Sequence, residues 1–293
     1  MERKEDVKLI LEDYYPYLDK FFGEAIEKRL EMPNYENGVL TSQLLKAARK
    51  LTTYQKESRY SEDEYFEDWY YDEEYKSESF ILESGLYILD RTLSHGEQYC
   101  EGYNCIFQNI NLSKPQEVDN RITEILAQVK AFEFLSKLGF KQIAAVDREQ
   151  TRLQVDFTAS MFKGFYAIIA TRLYSAKRIE EHRAEYDERY VMKSLKNDIV
   201  YAINQKYPKL ENFCLTHFGI NKGIIFISSG RDYFGHIKFE NSFYGLQPSK
   251  IKAVLNKEWA TRKSGEKSYK YLHHIVITTG RNVGNAIIYP NFK

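Results

Sequence analysis

One acid lies inside an apolar, β-rich stretch and is the best candidate for chemistry in this chain. Asp156 stands in the run Val155-Asp156-Phe157, where Leu153, Val155 and Phe157 alternate with polar residues. This period-2 alternation predicts a half-buried strand, so we expect the carboxylate at the rim of a hairpin. Carboxylate oxygens are among the ligands that Mg²⁺ prefers in proteins. Asp156 therefore indicates a metal site, provided that a second carboxylate joins it.

A helix upstream carries the side chains that are candidates to meet Asp156. Apolar residues from Ile122 to Leu138 follow the 3.6-residue helical period, and Gly139 follows the last of them. The pattern predicts a helix over about residues 118–138 with Gly139 as its C-cap. Glu124 and Gln128 are four residues apart and share one helix face. Gln128 therefore lies one helical turn after Glu124.

Further strands and one long helix must hold this pair in place. Residues 140–146 predict a first strand, residues 147–151 a polar turn and residues 165–173 a buried strand. A long helix follows over 187–217, and two strands follow over 224–228 and 274–278. A short strand before Tyr289-Pro290 closes the chain. Helices between strands predict a mixed α/β fold.

The order of these elements resembles the PD-(D/E)XK superfamily, which has the restriction-endonuclease-like fold. The likeness rests on Gly139-Phe140 at the helix end, Asp156-Phe157 in the second strand and Asn204-Gln205-Lys206 near the middle of the long helix. It covers about residues 118–293. The resemblance implies a Mg²⁺-dependent nuclease whose catalytic groups are a helix Glu, the Asp and an E-x-K in the next strand.

The chain departs from that motif at several positions. Gln128 occupies the position that the helix Glu has in the superfamily. The E-x-K pair aligns with Ile169 and Thr171, or with Ala170 and Arg172 after a shift of one residue. Neither register supplies a second carboxylate, and one carboxylate does not normally hold a catalytic Mg²⁺. The resemblance therefore implies a degenerate catalytic site.

Two alternatives remain for Asp156. In the first, Glu124 replaces the missing ligand and Lys163 or Lys177 replaces the lysine, which restores a Mg²⁺ site at Asp156 and Glu124. In the second, Asp156 caps a turn or pairs with Arg172 across the hairpin and has only a structural role. The candidate catalytic residues are Asp156, Glu124, Gln128 and Arg172.

The net charge of zero conceals a strong asymmetry along the chain. Residues 1–115 hold 24 acids and 14 bases, net −10, and residues 116–293 hold 18 acids and 28 bases, net +10. A basic half with interleaved aromatics predicts a polyanion partner, and a salt-bridged helix face is the alternative. The basic stretches are residues 172–206 and 257–270. The candidate nucleic-acid contacts are Lys177, Arg178, Arg183, Lys206, Lys257, Arg262, Lys263 and Lys267.

The first part of the chain is acidic, aromatic and helical in pattern. Helical periods cover residues 5–31, interrupted at Pro16, and recur over 41–53 and 79–93. Residues 61–75 hold eight acids and no base, which predicts either a surface helix or a binding site for a protein partner. Pro115 marks the expected junction between the two parts.

The composition limits where the protein works. No apolar run approaches 18 residues, so no membrane span is expected, and the N-terminus lacks the long apolar segment of a secretory signal. Three cysteines without a close pair indicate a reducing compartment, which favours a cytoplasmic protein.

The sequence therefore predicts two domains and one principal function. Residues 1–115 form a helical domain, and residues 116–293 form a restriction-endonuclease-like mixed-sheet core with flanking helices. We expect a nucleic-acid-associated protein, with DNA favoured over RNA, built on a degenerate nuclease core that acts in restriction, defence or mobile elements. The alternatives are an active Mg²⁺-dependent endonuclease and a non-enzymatic protein-interaction module acting through residues 61–75. A homo-oligomer is compatible with each of these functions.

Overall fold

The computed structural model shows a mixed α/β chain. It describes the following residues: 2–60, 85–99, 102, 105–108, 113–146, 155–162, 164–172, 188–228, 252–253, 255–257, 269–278 and 286–290. The chain divides into two compact units. The first comprises Met1–His95, Ile110–Thr123 and Tyr233–Ile237, and the second comprises Gly96–Asn109, Glu124–Asp232 and Lys238–Lys293. The division at residue 115 predicted from the sequence stays a prediction.

Helices dominate the described part of the first unit. Helix α1 ends at Tyr14 and α2 begins at Pro16, which confirms the predicted interruption, since a proline is tolerated in the first turn of a helix. Helix α1 packs against α2 and α3. The helices before residue 100 are α1 (Glu2–Tyr14), α2 (Pro16–Glu31), a 3₁₀ turn (Tyr35–Asn37), α3 (Val39–Tyr60) and α4 (Gly85–Tyr99). The acidic stretch 61–75 lies outside the described residues.

Two buried carboxylates cap helices of the first unit from a distance. Asp90 accepts a hydrogen bond from the Leu18 backbone N–H (2.7 Å) in the first turn of α2. Asp119 accepts from the N–H groups of Leu40 (2.7 Å) and Thr41 (3.0 Å) in the first turn of α3, and from Nε of buried Arg29 (3.2 Å). The first N–H groups of a helix lack partners within that helix, so these carboxylates satisfy donors that α2 and α3 leave open.

The second unit contains one six-stranded mixed sheet in the order β1-β2-β3-β4-β5-β6. Strands β1 to β3 are antiparallel, β3 to β5 are parallel, and β6 is antiparallel to β5. The strands are β1 (Lys141–Ala145), β2 (Phe157–Met161), β3 (Gly164–Arg172), β4 (Ile220–Ser228), β5 (Leu272–Thr278) and β6 (Ile287–Tyr289). These bounds confirm every strand predicted from an apolar run, with shifts of a few residues.

The long helices of the second unit also follow the prediction. Helix α5 (Cys105–Gln108) is short, and α6 (Pro115–Lys137) enters the unit at Glu124. Helix α7 (Glu188–Thr216) lies in the connection between parallel strands β3 and β4, since such a connection must cross over the sheet. Its side chains Ile199, Ile203 and Leu210 share an apolar core with the sheet.

The end of α6 has the geometry that its sequence predicts. Gly139 has φ +84°, in the left-handed region that favours glycine. The Gly139 N–H donates to the Ser136 carbonyl (3.0 Å), and the Phe140 N–H donates to the Leu135 carbonyl (3.0 Å). This pair of bonds is a Schellman motif, which turns the chain from α6 towards β1.

One predicted boundary is wrong. We expected the second strand to include Val155 and Asp156, but β2 begins at Phe157. The reason is local, because the Asp156 N–H donates to the Ile168 carbonyl (2.9 Å), whereas Ile168 is the register partner of Phe157. The backbone pairing of β2 with β3 is therefore irregular at Asp156. The Asp156 carboxylate, rather than its backbone carbonyl, accepts the next hydrogen bond from β3, donated by the Ala170 N–H.

Candidate functional site at Asp156

Asp156 is fixed by its own backbone at the start of β2. Its N–H donates to Ile168 of β3, and its carbonyl accepts from the Val146 N–H (3.1 Å) just after β1. The residue therefore joins strands on both sides. This double attachment fixes the direction of the side chain. Asp156 is buried, with 5% of its surface exposed.

The two carboxylate oxygens of Asp156 each accept a hydrogen bond. Oδ1 accepts from Nε2 of Gln128 on α6 (2.7 Å), and Oδ2 accepts from the Ala170 backbone N–H of β3 (2.8 Å). Gln128 is itself buried. An ionised carboxylate only accepts hydrogen bonds, so the amide nitrogen of Gln128 must face it. Asp156 thus connects α6 with β3 through its two carboxylate oxygens.

This geometry brings together two of the predicted catalytic residues and gives them complementary roles. A nuclease site of the resembled type needs a second carboxylate against Asp156, and the chain places a neutral amide there. An amide N–H donates and does not ligate a cation, so the pair forms a hydrogen-bonded clamp. Within the described ranges, no group of three or more His, Cys, Asp or Glu side chains is arranged to hold a metal ion.

The other two predicted catalytic residues are placed less completely. Glu124 lies one turn before Gln128 on α6 and is half-buried, and its replacement of the missing ligand stays a prediction. Arg172 is the last residue of β3, and its side chain is not among those described. Its pairing with Asp156 also stays a prediction. Lys163 and Lys177, the alternatives for a displaced lysine, lie outside the described residues.

Two of the eight predicted nucleic-acid contacts are among the described residues. Lys206 lies half-buried on α7, and Lys257 is exposed. The contacts outside the described residues are Lys177, Arg178, Arg183, Arg262, Lys263 and Lys267.

Sequence reasoning missed a buried lysine close to the clamp along α6. Lys130 has no exposed surface, although it lies in the middle of a helix flanking the sheet. Its position was visible in the sequence, because Lys130 shares a helix stripe with Leu126 and Phe134, both of which are apolar. Phe134 packs on Phe226 of β4, with ring centroids 5.6 Å apart.

Strand ends near the same face add buried hydroxyls. Ser228 ends β4 and Thr278 ends β5, and the two are register partners. Both are buried, and in the described part of the chain the Ser228 Oγ has no hydrogen-bond partner. The Thr278 hydroxyl donates to the Ile227 carbonyl (3.4 Å), and the carboxyl ends of parallel strands are where open α/β sheets bind ligands.

Comparison with known proteins gives no family for this chain. No family model matches it, and neither the curated proteins nor the solved structures contain a match. Among the described helices, none combines the length and the apolar character that crossing a membrane requires.

Proposed function

We propose that the second unit is a restriction-endonuclease-like core that has lost its metal site and that associates with nucleic acid. The observation that carries the proposal is the hydrogen bond from the Gln128 amide to the Asp156 carboxylate. In the resembled superfamily a Glu at this helix position would add the negative charge that a divalent cation needs. The neutral amide removes that charge and satisfies Asp156 without a metal.

The arrangement of elements supports the proposal. A helix leads into three antiparallel strands, a long crossover helix follows, and a parallel strand completes the set. By the resemblance, Asp156 corresponds to the Asp of the superfamily, and Ala170 lies in the strand that corresponds to the one with E-x-K. Because the strand side chains Ile169, Ala170 and Thr171 offer no carboxylate, the loss extends to both positions of the motif.

The charge of the chain supports a nucleic-acid partner. Residues 116–293 carry a net charge of +10, and lysines and arginines recur through the stretches 172–206 and 257–270. Phosphate contacts by such side chains release counterions and supply sequence-independent affinity. DNA is the partner that we favour, and a role in restriction, defence or mobile elements follows from the resemblance alone.

A combined binding and cleavage assay tests this function. Fluorescently labelled duplex DNA, single-stranded DNA and RNA are titrated with the full chain, with Mg²⁺ or Mn²⁺ present, and anisotropy is recorded before the same samples are run on a denaturing gel. We expect binding with intact substrates. Asp156→Asn is the matched control, since a metal ligand in this position would make cleavage depend on its charge.

Two results would contradict the proposal in different ways. Metal-dependent cleavage by the wild-type chain that Asp156→Asn abolishes would establish the active endonuclease instead. Absence of binding to all three nucleic acids at low salt would remove the nucleic-acid partner. The protein-interaction hypothesis for residues 61–75 would then be the one to pursue.

A further inference from the structure

A second surface of the sheet unit lies at the opposite end of β3 from Ala170. Strands β1, β3, β4 and β5 point the same way, so their first residues meet at one edge of the sheet. The register runs from Lys141 to Ser160, on to Phe165 and then to Ile220. We call this the amino edge, made of the described residues 138–142, 160–162, 164–165, 215–223 and 269–273.

Three phenylalanine side chains are exposed at the amino edge. Phe162 is 86% exposed at the tip of the β2–β3 hairpin, Phe165 is 50% exposed at the start of β3, and Phe218 is 109% exposed in the turn before β4. Phe165 and Ile220 are register partners, so the two turns lie side by side. Large apolar side chains clustered on a surface mark a site of interaction.

Lysines accompany these rings in the described segments of the amino edge. Lys141, Lys222 and Lys270 lie at or beside the starts of β1, β4 and β5, and Lys141 and Lys270 are exposed. The Lys222 Nζ lies 5.3 Å from the centre of the Tyr166 ring, and the Lys270 Nζ lies 5.3 Å from that of Tyr271. The segments that make up the amino edge contain no Asp or Glu. The edge is therefore both cationic and aromatic.

We propose that the amino edge binds single-stranded nucleic acid. Every base has a π-face that can stack on a phenylalanine ring, and lysines neutralise the backbone that connects the bases. Bases within a duplex are already stacked on each other, so exposed rings favour the single strand. This proposal rests on the proposed function. It assigns the nucleic acid a contact surface that is separate from the buried Asp156–Gln128 clamp.

The basic stretch 257–270 supports this choice of partner. It ends at Lys270, which is part of the amino edge, and holds Lys257, Arg262, Lys263 and Lys267. Along the sequence, this basic stretch therefore leads to the amino edge. Leu215, 65% exposed, adds an aliphatic side chain that bases do not need, so an anionic membrane and a second copy of the chain are tested as rivals.

The test measures binding of a fluorescent oligothymidylate to the full chain by anisotropy. The Phe162→Ala/Phe218→Ala double variant should bind roughly 10- to 100-fold more weakly, and Phe162→Tyr/Phe218→Tyr should bind as the wild type does, since tyrosine also stacks. Leu9→Ala is the control, because Leu9 is a large apolar side chain that is 48% exposed on α1 and lies outside both the amino edge and the basic stretches. It should leave binding unchanged.

The lysines are tested through salt. The triple variant Lys141→Gln/Lys222→Gln/Lys270→Gln should reduce the slope of log affinity against log salt by about 2. The variant removes three lysines, and each phosphate contact on a single strand contributes about 0.7 to the slope. Lys252→Gln, an exposed lysine elsewhere, is the control. An unchanged slope in the triple variant would contradict the proposal.

The outcomes separate this proposal from the function on which it rests. A wild-type chain that binds no nucleic acid overturns both. Oligothymidylate binding that the phenylalanine double variant leaves unchanged overturns only the amino-edge proposal. If the phenylalanine double variant keeps oligothymidylate binding but loses binding to anionic vesicles, the surface is assigned to a membrane. If it keeps oligothymidylate binding but loses self-association in sedimentation, the surface is assigned to a second copy of the chain.

Discussion

Asp156 is best understood through the number of hydrogen bonds that its carboxylate accepts. One oxygen holds the Gln128 amide and the other holds the Ala170 N–H, so removal of the side chain leaves two buried donors without partners. An unsatisfied buried donor costs more than the net value of the bond itself. The residue therefore has a structural role that can be measured independently of any catalysis.

We predict that Asp156→Ala and Asp156→Asn differ in stability. Asp156→Ala should lower the free energy of unfolding by about 1–3 kcal/mol, because it leaves buried N–H groups unpaired. Asp156→Asn should cost less, because its oxygen can accept from Ala170 while its amide donates to a rotated Gln128 side chain. Urea unfolding of both variants checks this. Equal losses would show that the carboxylate charge, and not the hydrogen-bond pattern, matters.

Gln128→Glu should rebuild a site for a divalent cation. Two carboxylates would then face each other at the position of the present 2.7 Å contact, and their repulsion should lower the melting temperature in EDTA. Mn²⁺ should restore it, because oxygen ligands from two carboxylates suit such a cation. Gln128→Met is the control, with no negative charge and no expected response. A wild-type melting temperature that rises with Mn²⁺ as much as that of Gln128→Glu would contradict a lost metal site.

At the scale of elements, the turn after α6 is the most specific prediction that the sequence makes. Gly139 holds φ +84°, and in the structure nothing lies within 4 Å of where its Cβ would be. Gly139→Ala should therefore cost about 1–2 kcal/mol through backbone conformation alone. Gly139→Asn should cost less, since Asn adopts the left-handed region more readily. Denaturant unfolding compares them, and a neutral Gly139→Ala would argue against the Schellman motif.

Most helices and strands were predictable because they carry long periodic stretches of apolar residues. The residues that strand pairing brings together were not predictable. Helices α6 and α7 and strands β3 to β5 carry enough apolar residues for their period to be read. The amino edge is different, because Lys141, Phe162, Phe218 and Lys270 are far apart in sequence and meet only through strand pairing. No local pattern encodes that meeting.

The side chains of the candidate site were predictable from the sequence, but the backbone contacts of that site were not. Asp156 and Gln128 stood out by residue type and by their likeness to a motif, and the structure brings them together. That Ala170 provides the second donor depends on a backbone N–H, which every residue except proline has, so side-chain chemistry gives no signal for it. The irregular pairing at Asp156 could not be read from a period-2 pattern for the same reason.

At the scale of the whole molecule, one buried acid couples the stability of the first unit to pH. Burial raises the pKa of Asp90 to about 6, with the Leu18 and Tyr17 N–H groups opposing the shift. An acid with a raised pKa stabilises the fold at low pH, and this contribution is lost as the pH rises through about 6. In the second unit burial lowers the pKa of His274, so its contribution is lost in the opposite direction, as the pH falls.

Asp90→Asn isolates the first of these effects. The variant keeps an oxygen for the Leu18 N–H but does not ionise, so its stability relative to wild type should improve between pH 5 and pH 7. Urea unfolding at both values measures the difference, in which the His274 contribution cancels. Asp13→Asn, at an exposed position of α1, is the control. A difference that does not change with pH would contradict the burial of an ionisable Asp90.

The opposite charges of the two halves, −10 and +10, make ionic strength the most informative variable for the complete chain. The decisive measurement is the affinity of the wild-type chain for a labelled single strand across a salt series in Mg²⁺, with the strand recovered and its length checked. With at least three lysine–phosphate contacts, we predict a log–log slope of about −2 or steeper and a strand of full length. A flat salt dependence, or a strand cut in Mg²⁺, would contradict nucleic-acid binding on a core without its metal site.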